Sequence, residues 1–139
     1  MSTKEYLQQI YVMDRRIRRL KARREKLRAE MYSVKSPAGS MSADRVQTTT
    51  TGDNMLRLIA RVDEIEKDII AQLEEYEERK QAICRQIDRM PEGKEKDVIH
   101  SRYVLFRKWE RIAVDLDVSV RYVYMLHGKA LQTFERIVR

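Results

Sequence analysis

Between residues 107 and 129, the stretch RKWERIAVDLDVSVRYVYMLHGK interleaves hydrogen-bond donors with apolar residues. Arg107, Lys108, Arg121 and Lys129 can donate to anionic or carbonyl oxygens, and the hydroxyls of Ser119 and Tyr124 can donate too. Val120 and Met125 add apolar contacts among them. This is chemistry that grips a charged polymer and can distinguish its bases, because arginine offers two parallel donors to guanine and an apolar group can touch a thymine methyl. It works only if a rigid element holds the side chains on one face.

The spacing supplies such an element. Trp109 to Leu131 reads as a helix-turn-helix, with Ile112, Leu116, Val118, Val123 and Leu126 as the apolar surface between two short helices. Ala113 is small where those helices come closest. Ser119 follows the turn and can accept from an unpaired N–H, which starts the second helix. Val120, Arg121, Tyr124, Met125, Gly128 and Lys129 then fall on its outer face, where a major groove would be read. Asp117 stands in the turn where glycine is usual; aspartate tolerates the left-handed region better than most residues. The same apolar spacing also suits a plain helical hairpin whose residues only fill a core.

The remainder of the chain must position this module. Charged residues make up 37% of the 139 residues, with only four glycines and two prolines. That profile fits long helices with narrow apolar seams. Lys4 to Val34 forms the first, with Tyr6, Ile10, Met13, Ile17, Leu20, Leu27, Met31 and Val34 at alternating steps of three and four and Arg24 in the one slot the pattern leaves polar, a coiled-coil seam. Met55 to Met90 forms the second, on Met55, Leu58, Val62, Ile65, Ile69, Gln72, Tyr76, Arg79, Ile83 and Met90. A flanking stripe of Ile59, Ile70, Leu73 and Ile87 widens it beyond what one partner helix needs, so a second copy of the chain could cover the surplus. Residues 35–54 read as a loop, with Asp53 or Asn54 as the cap that follows it, and Pro91 closes the second helix. The expected architecture is all-α: a long antiparallel coiled-coil hairpin over 1–90, then a small helix-turn-helix domain over 91–139. Val98, Ile99, Tyr103, Val104 and Leu105 would pack across its back, and Trp109 would anchor its core.

Charge is distributed unevenly along the net +7. Residues 1–34 carry +6, residues 55–90 carry −2 and residues 91–139 carry +3. Two basic ends favour a polyanionic partner, although the arginine run of the first helix also suits a solvated face. The single cysteine, Cys84, excludes an internal disulfide and a Cys-based zinc site. No apolar run is long enough to span a bilayer and MSTKEYLQQI lacks the core of a signal peptide, so a cytoplasmic protein with no membrane partner is expected.

The stretch VIHSRYVLFRKWERIAVDLDVSVRYVYMLHGKAL resembles the promoter-reading helix-turn-helix of bacterial sigma factors. The order of parts is more similar still to phage transcriptional regulators of the ArpU/RinA-like class. The shared pieces are an N-terminal coiled coil, Asp44-Arg45-Val46-Gln47-Thr48, Trp109-Glu110-Arg111-Ile112-Ala113 and His127-Gly128-Lys129-Ala130-Leu131. The resemblance implies a phage or prophage DNA-binding protein that regulates transcription in a bacterial cytoplasm. By position it puts Arg121 and Tyr124 on base edges, Val120 and Met125 near thymine methyls, and Arg107, Lys108, Ser119 and Lys129 on phosphates.

Two other readings use the same parts. A packaging component similar to small terminase subunits also joins a helix-turn-helix to helical oligomerisation segments. An adaptor would bind host RNA polymerase or another protein through the hairpin. An enzyme is not expected, since the sequence holds no Gly-rich phosphate loop, no metal-ligand cluster and no nucleophile with a neighbouring base; no cofactor or metal is implied.

Overall fold

The computed structural model describes residues 1–35 and 45–139, with the side chains of residues 34, 35 and 45–51 outside that description. The described residues are all-helical: α1 (Thr3–Lys35), α2 (Arg45–Asp88), α3 (Lys94–Ile99), α4 (Trp109–Leu116) and α5 (Val120–Val138), with a wider helical turn over His100–Val104. Among them no helix is long and apolar enough to cross a membrane.

A reciprocal cap starts α1. The Glu5 N–H donates to Ser2 Oγ at 3.1 Å and the Ser2 N–H donates to Glu5 Oε2 at 3.3 Å, so two N–H groups at the helix entrance are satisfied at once. The helix α2 starts earlier than the periodicity suggests. The loop expected over 35–54 gives way to helix from Arg45, which puts Asp53 and Asn54 inside α2 rather than at its cap. Threonines 48–51 are weak helix formers, but propensity is a small term beside a long amphipathic segment that propagates the helix. Asp44, the first residue of the D-R-V-Q-T segment, lies outside the described residues.

The chain forms two compact units, Met1–Asp14 with Glu75–Arg139, and Arg15–Glu74. The boundary expected at residue 90 therefore falls inside the first unit. The reason is where the ends of the two long helices bury their apolar faces. In that unit Leu7, Ile10, Ile83 and Ile87 are fully enclosed, as are Val98, Ile99, Ile112, Val123 and Phe134. The Tyr6 ring lies 6.2 Å from that of Phe134, and its hydroxyl donates to Gln86 Oε1 at 2.7 Å. Arg89 donates to the carbonyl of Ile137 at 3.0 Å. Each enclosed aliphatic or aromatic side chain contributes roughly 1.5–3 kcal/mol.

Three seam assignments shift. Leu7 is enclosed where the three-four alternation selects Tyr6, because both neighbours of a seam turn compete for the inner position and the aliphatic one takes it. Arg79 faces solvent, and Ile87 belongs to the core rather than to a flanking stripe.

In the second unit Ile17, Leu58 and Ile69 are buried and Arg28 pairs with Glu66. Glu30 and Ser33 of α1 share a groove with Asn54, Arg57, Leu58 and Arg61 of α2. Leu56, Ile59 and Ile70 of α2 are exposed, at 66%, 47% and 58%.

Candidate nucleic-acid interface

The turn between α4 and α5 is built by hydrogen bonds that the local sequence dictates. Asp117 adopts φ 55°, ψ 49°, a left-handed conformation. This lets the Val118 N–H reach the Ala113 carbonyl at 3.0 Å and the Asp117 N–H reach that of Val114 at 3.1 Å. Both bonds satisfy carbonyls orphaned at the end of α4, in the Schellman arrangement. Val118 and Ala113 also meet in the apolar cluster, as that arrangement favours. Two residues on, Ser119 is extended at φ −75° and its Oγ accepts the Tyr122 N–H at 3.1 Å, which caps α5. The chain thus reverses within Asp117-Val118-Ser119.

Val98, Ile112, Ala113, Val123 and Leu126 form a buried cluster, with Trp109, Leu116, Val118 and Val120 packed against it. All five residues assigned to the helix-helix surface are in or against that cluster. Val120 is there as well, so it does not sit on the outer face with Arg121. One residue is about 100° of helix rotation, which turns Val120 toward the core side.

Arg121, Tyr124, Met125 and Gly128 follow the i, i+3, i+4, i+7 spacing of one helix face and are exposed, with Lys129 exposed beside them. The first carboxylate along α5 is Glu135. A Cβ added at Gly128 would meet nothing within 4 Å, so no internal packing requires glycine there. Tyr124 is fixed from below: its ring meets Trp109 edge-on at 5.4 Å while 52% of the residue stays exposed.

Lys108 is exposed just before α4. Arg107 is held instead by Asp115, Nη1 to Oδ2 at 2.9 Å, and Asp115 also takes Arg111 at 3.1 Å. Ser119 is exposed but its oxygen is engaged as the cap. Of the eight residues assigned to contacts, Arg121, Tyr124 and Met125 share a face and Lys129 flanks it. Lys108 and Arg107 belong to the segment entering α4.

A polar underside supports this surface, and sequence reasoning missed most of it. The Arg102 guanidinium stacks on Trp109, 4.3 Å from the ring centroid, and donates to the Arg107 carbonyl at 3.0 Å. It therefore ties the segment before α4 to the ring under Tyr124. That segment carries Phe106 at φ 57°, a positive value uncommon for an aromatic residue, with its ring edge-on to Tyr11 at 5.4 Å. His127 is buried, with Nε2 2.6 Å from the Tyr103 hydroxyl and its ring edge-on to Trp109 at 4.7 Å. Burial, with smaller contributions from Lys4 and Arg102, lowers its pKa to about 4, and burial raises that of Tyr103 to about 12. Both groups stay neutral at pH 7. His127 packs and hydrogen-bonds inside the module, and among the described residues no group of three or more His, Cys, Asp or Glu could hold a metal ion. The Arg111–Asp115 pair has a sequence signal in its i,i+4 spacing. The Arg102–Trp109 and Tyr103–His127 contacts have none, because pattern does not specify pairing between elements.

Comparison with protein-family models, with curated proteins and with solved structures found no match.

Proposed function

We propose that the chain is a sequence-specific, double-stranded DNA-binding transcription regulator of phage or prophage origin, acting in a bacterial cytoplasm. In this reading α4 and α5 are a sigma-factor-like helix-turn-helix, and α5 enters the major groove. The observation that carries the proposal is the outer face of α5. It holds Arg121, Tyr124, Met125 and Gly128 together, is free of carboxylates up to Glu135, and follows a tight capped turn. A major groove lined by base acceptors and flanked by phosphates is the partner that such a face complements.

Arg121 and Tyr124 read base edges, Met125 touches thymine methyls, and Lys108 and Lys129 hold phosphates. Arg107 joins them only by exchanging Asp115 for a phosphate. The long helices act as an antiparallel hairpin, since within the Arg15–Glu74 unit Arg28 pairs with Glu66 while Glu30 and Ser33, further along α1, face residues 54–61. Its exposed Leu56, Ile59 and Ile70 join two copies and so place two reading modules on adjacent half-sites.

Substitution separates the roles. Arg121→Ala costs about 1–3 kcal/mol on the best site and relaxes preference at one base pair. Lys129→Ala weakens all sequences alike and lowers the salt slope by about one. Fluorescence anisotropy on a specific and a random duplex reads both. Equal losses on the two duplexes for both variants would overturn the assignment.

A further inference from the structure

A second surface on α1 has no role in this reading. Arg16, Arg19, Arg23 and Lys26 follow one another at steps of three, four and three, so they share one helix face. All four are exposed. None forms an ion pair with another described residue, whereas the lone carboxylate between Arg15 and Arg28, Glu25, is taken by Arg24 and Arg28. Four like charges along about 15 Å of helix repel one another at a cost that neither packing nor pairing here offsets. The adjoining face of α1 is engaged, with Ile17 buried and Leu20 and Leu27 half-buried, so the apolar side next to the stripe is not available to sink into a lipid surface. A second copy of the chain is a poor match. Glu64, Asp68, Glu75 and Glu78 share an exposed face of α2, but a gap of about 10 Å between Asp68 and Glu75 interrupts them. A nucleic-acid strand instead presents a charge about every 3.4 Å without interruption, and three of the four cations are arginines, whose planar forks match phosphate.

We propose that the Arg16–Arg19–Arg23–Lys26 stripe is a second nucleic-acid contact that grips the phosphate backbone without reading sequence. It is independent of the α5 face. Its role is to supply affinity and salt dependence, while specificity lies elsewhere.

The test uses the full chain and a random-sequence duplex of about 30 base pairs, with binding measured across a salt series. The variant R16Q/R19Q/R23Q/K26Q keeps good helix formers and removes the stripe. A control, R57Q/K67Q/R79Q/R85Q, removes the same charge from exposed positions of α2. Circular dichroism and sedimentation establish that fold and oligomeric state match the wild type. The expected result is a slope of log affinity against log salt that is shallower by about 3.6 in the stripe variant, since each of four phosphate contacts contributes about 0.9, with a change of less than one in the control. Equal changes in both variants would mean that only net charge matters and would overturn the proposal. An unchanged slope would also overturn it, and a change in sedimentation alongside would make the stripe a protein–protein surface. Arg121→Ala leaves the slope on random DNA within about one of wild type, so failure of the α5 reading is visible separately.

Discussion

Gly128 and His127 are neighbours in sequence with opposite duties. Glycine in a helix interior costs about 1 kcal/mol relative to alanine, and at position 128 nothing inside the protein needs the missing Cβ. Under the proposed function, a close approach by DNA accounts for the residue. Gly128→Ala is therefore expected to raise stability by about 0.5–1 kcal/mol in a thermal melt while weakening specific DNA binding. A stabilised variant that binds as well as wild type would remove the close approach. His127 sits beneath the same helix. Its pKa in the folded chain, about 4, lies below the ordinary histidine value of 6.5, so the unfolded chain binds its proton first. The stability this group contributes is complete above pH 6.5 and is lost as pH falls toward about 4, by roughly 2–3 kcal/mol. Comparing wild type with His127→Gln in denaturant melts at pH 7 and pH 4.5 isolates that loss from the titration of carboxylates. A parallel loss in both proteins would contradict the assignment.

At the scale of elements, the junction of α4 and α5 was the part most legible in the sequence. Its determinants are local: Ser119 caps an N–H three residues ahead, Asp117 supplies one left-handed residue, and Ile112, Val123 and Leu126 face each other because of helical period. Asp117 carries a cost that glycine would not. Asp117→Gly is expected to stabilise the unit by about 0.5–1 kcal/mol, read as a higher melting temperature, and a lower one would show that the aspartate side chain contributes more than the strain it bears. Elsewhere the sequence was silent for physical reasons. Leu7 and Tyr6 both flank the same seam position, and only the surrounding core distinguishes them. The threonine run from residue 48 has loop-like composition yet continues α2, because propensity is weak beside helix propagation. Arg102 on Trp109 and Tyr103 on His127 pair across elements, where no periodicity points.

For the whole molecule, the proposed function divides labour among three surfaces: the outer face of α5 to distinguish base pairs, the arginine stripe of α1 to add sequence-independent grip, and the exposed aliphatic residues of α2 to join copies. The basic ends and acidic middle visible in the charge distribution suit this division. The unit that gathers residues 1–14 with 75–139 was not visible there, since it depends on Leu7, Ile10, Ile83 and Ile87 sharing a core with residues near the C-terminus. Sequence-specific recognition by α5 is the central claim, and in vitro selection from random duplex DNA tests it most directly, with wild type and Arg121→Ala run in parallel. The account predicts an enriched motif with two related half-sites for wild type, degraded at one position per half-site in the variant. Salt-sensitive binding with no enriched motif, or the same motif from both proteins, would contradict it.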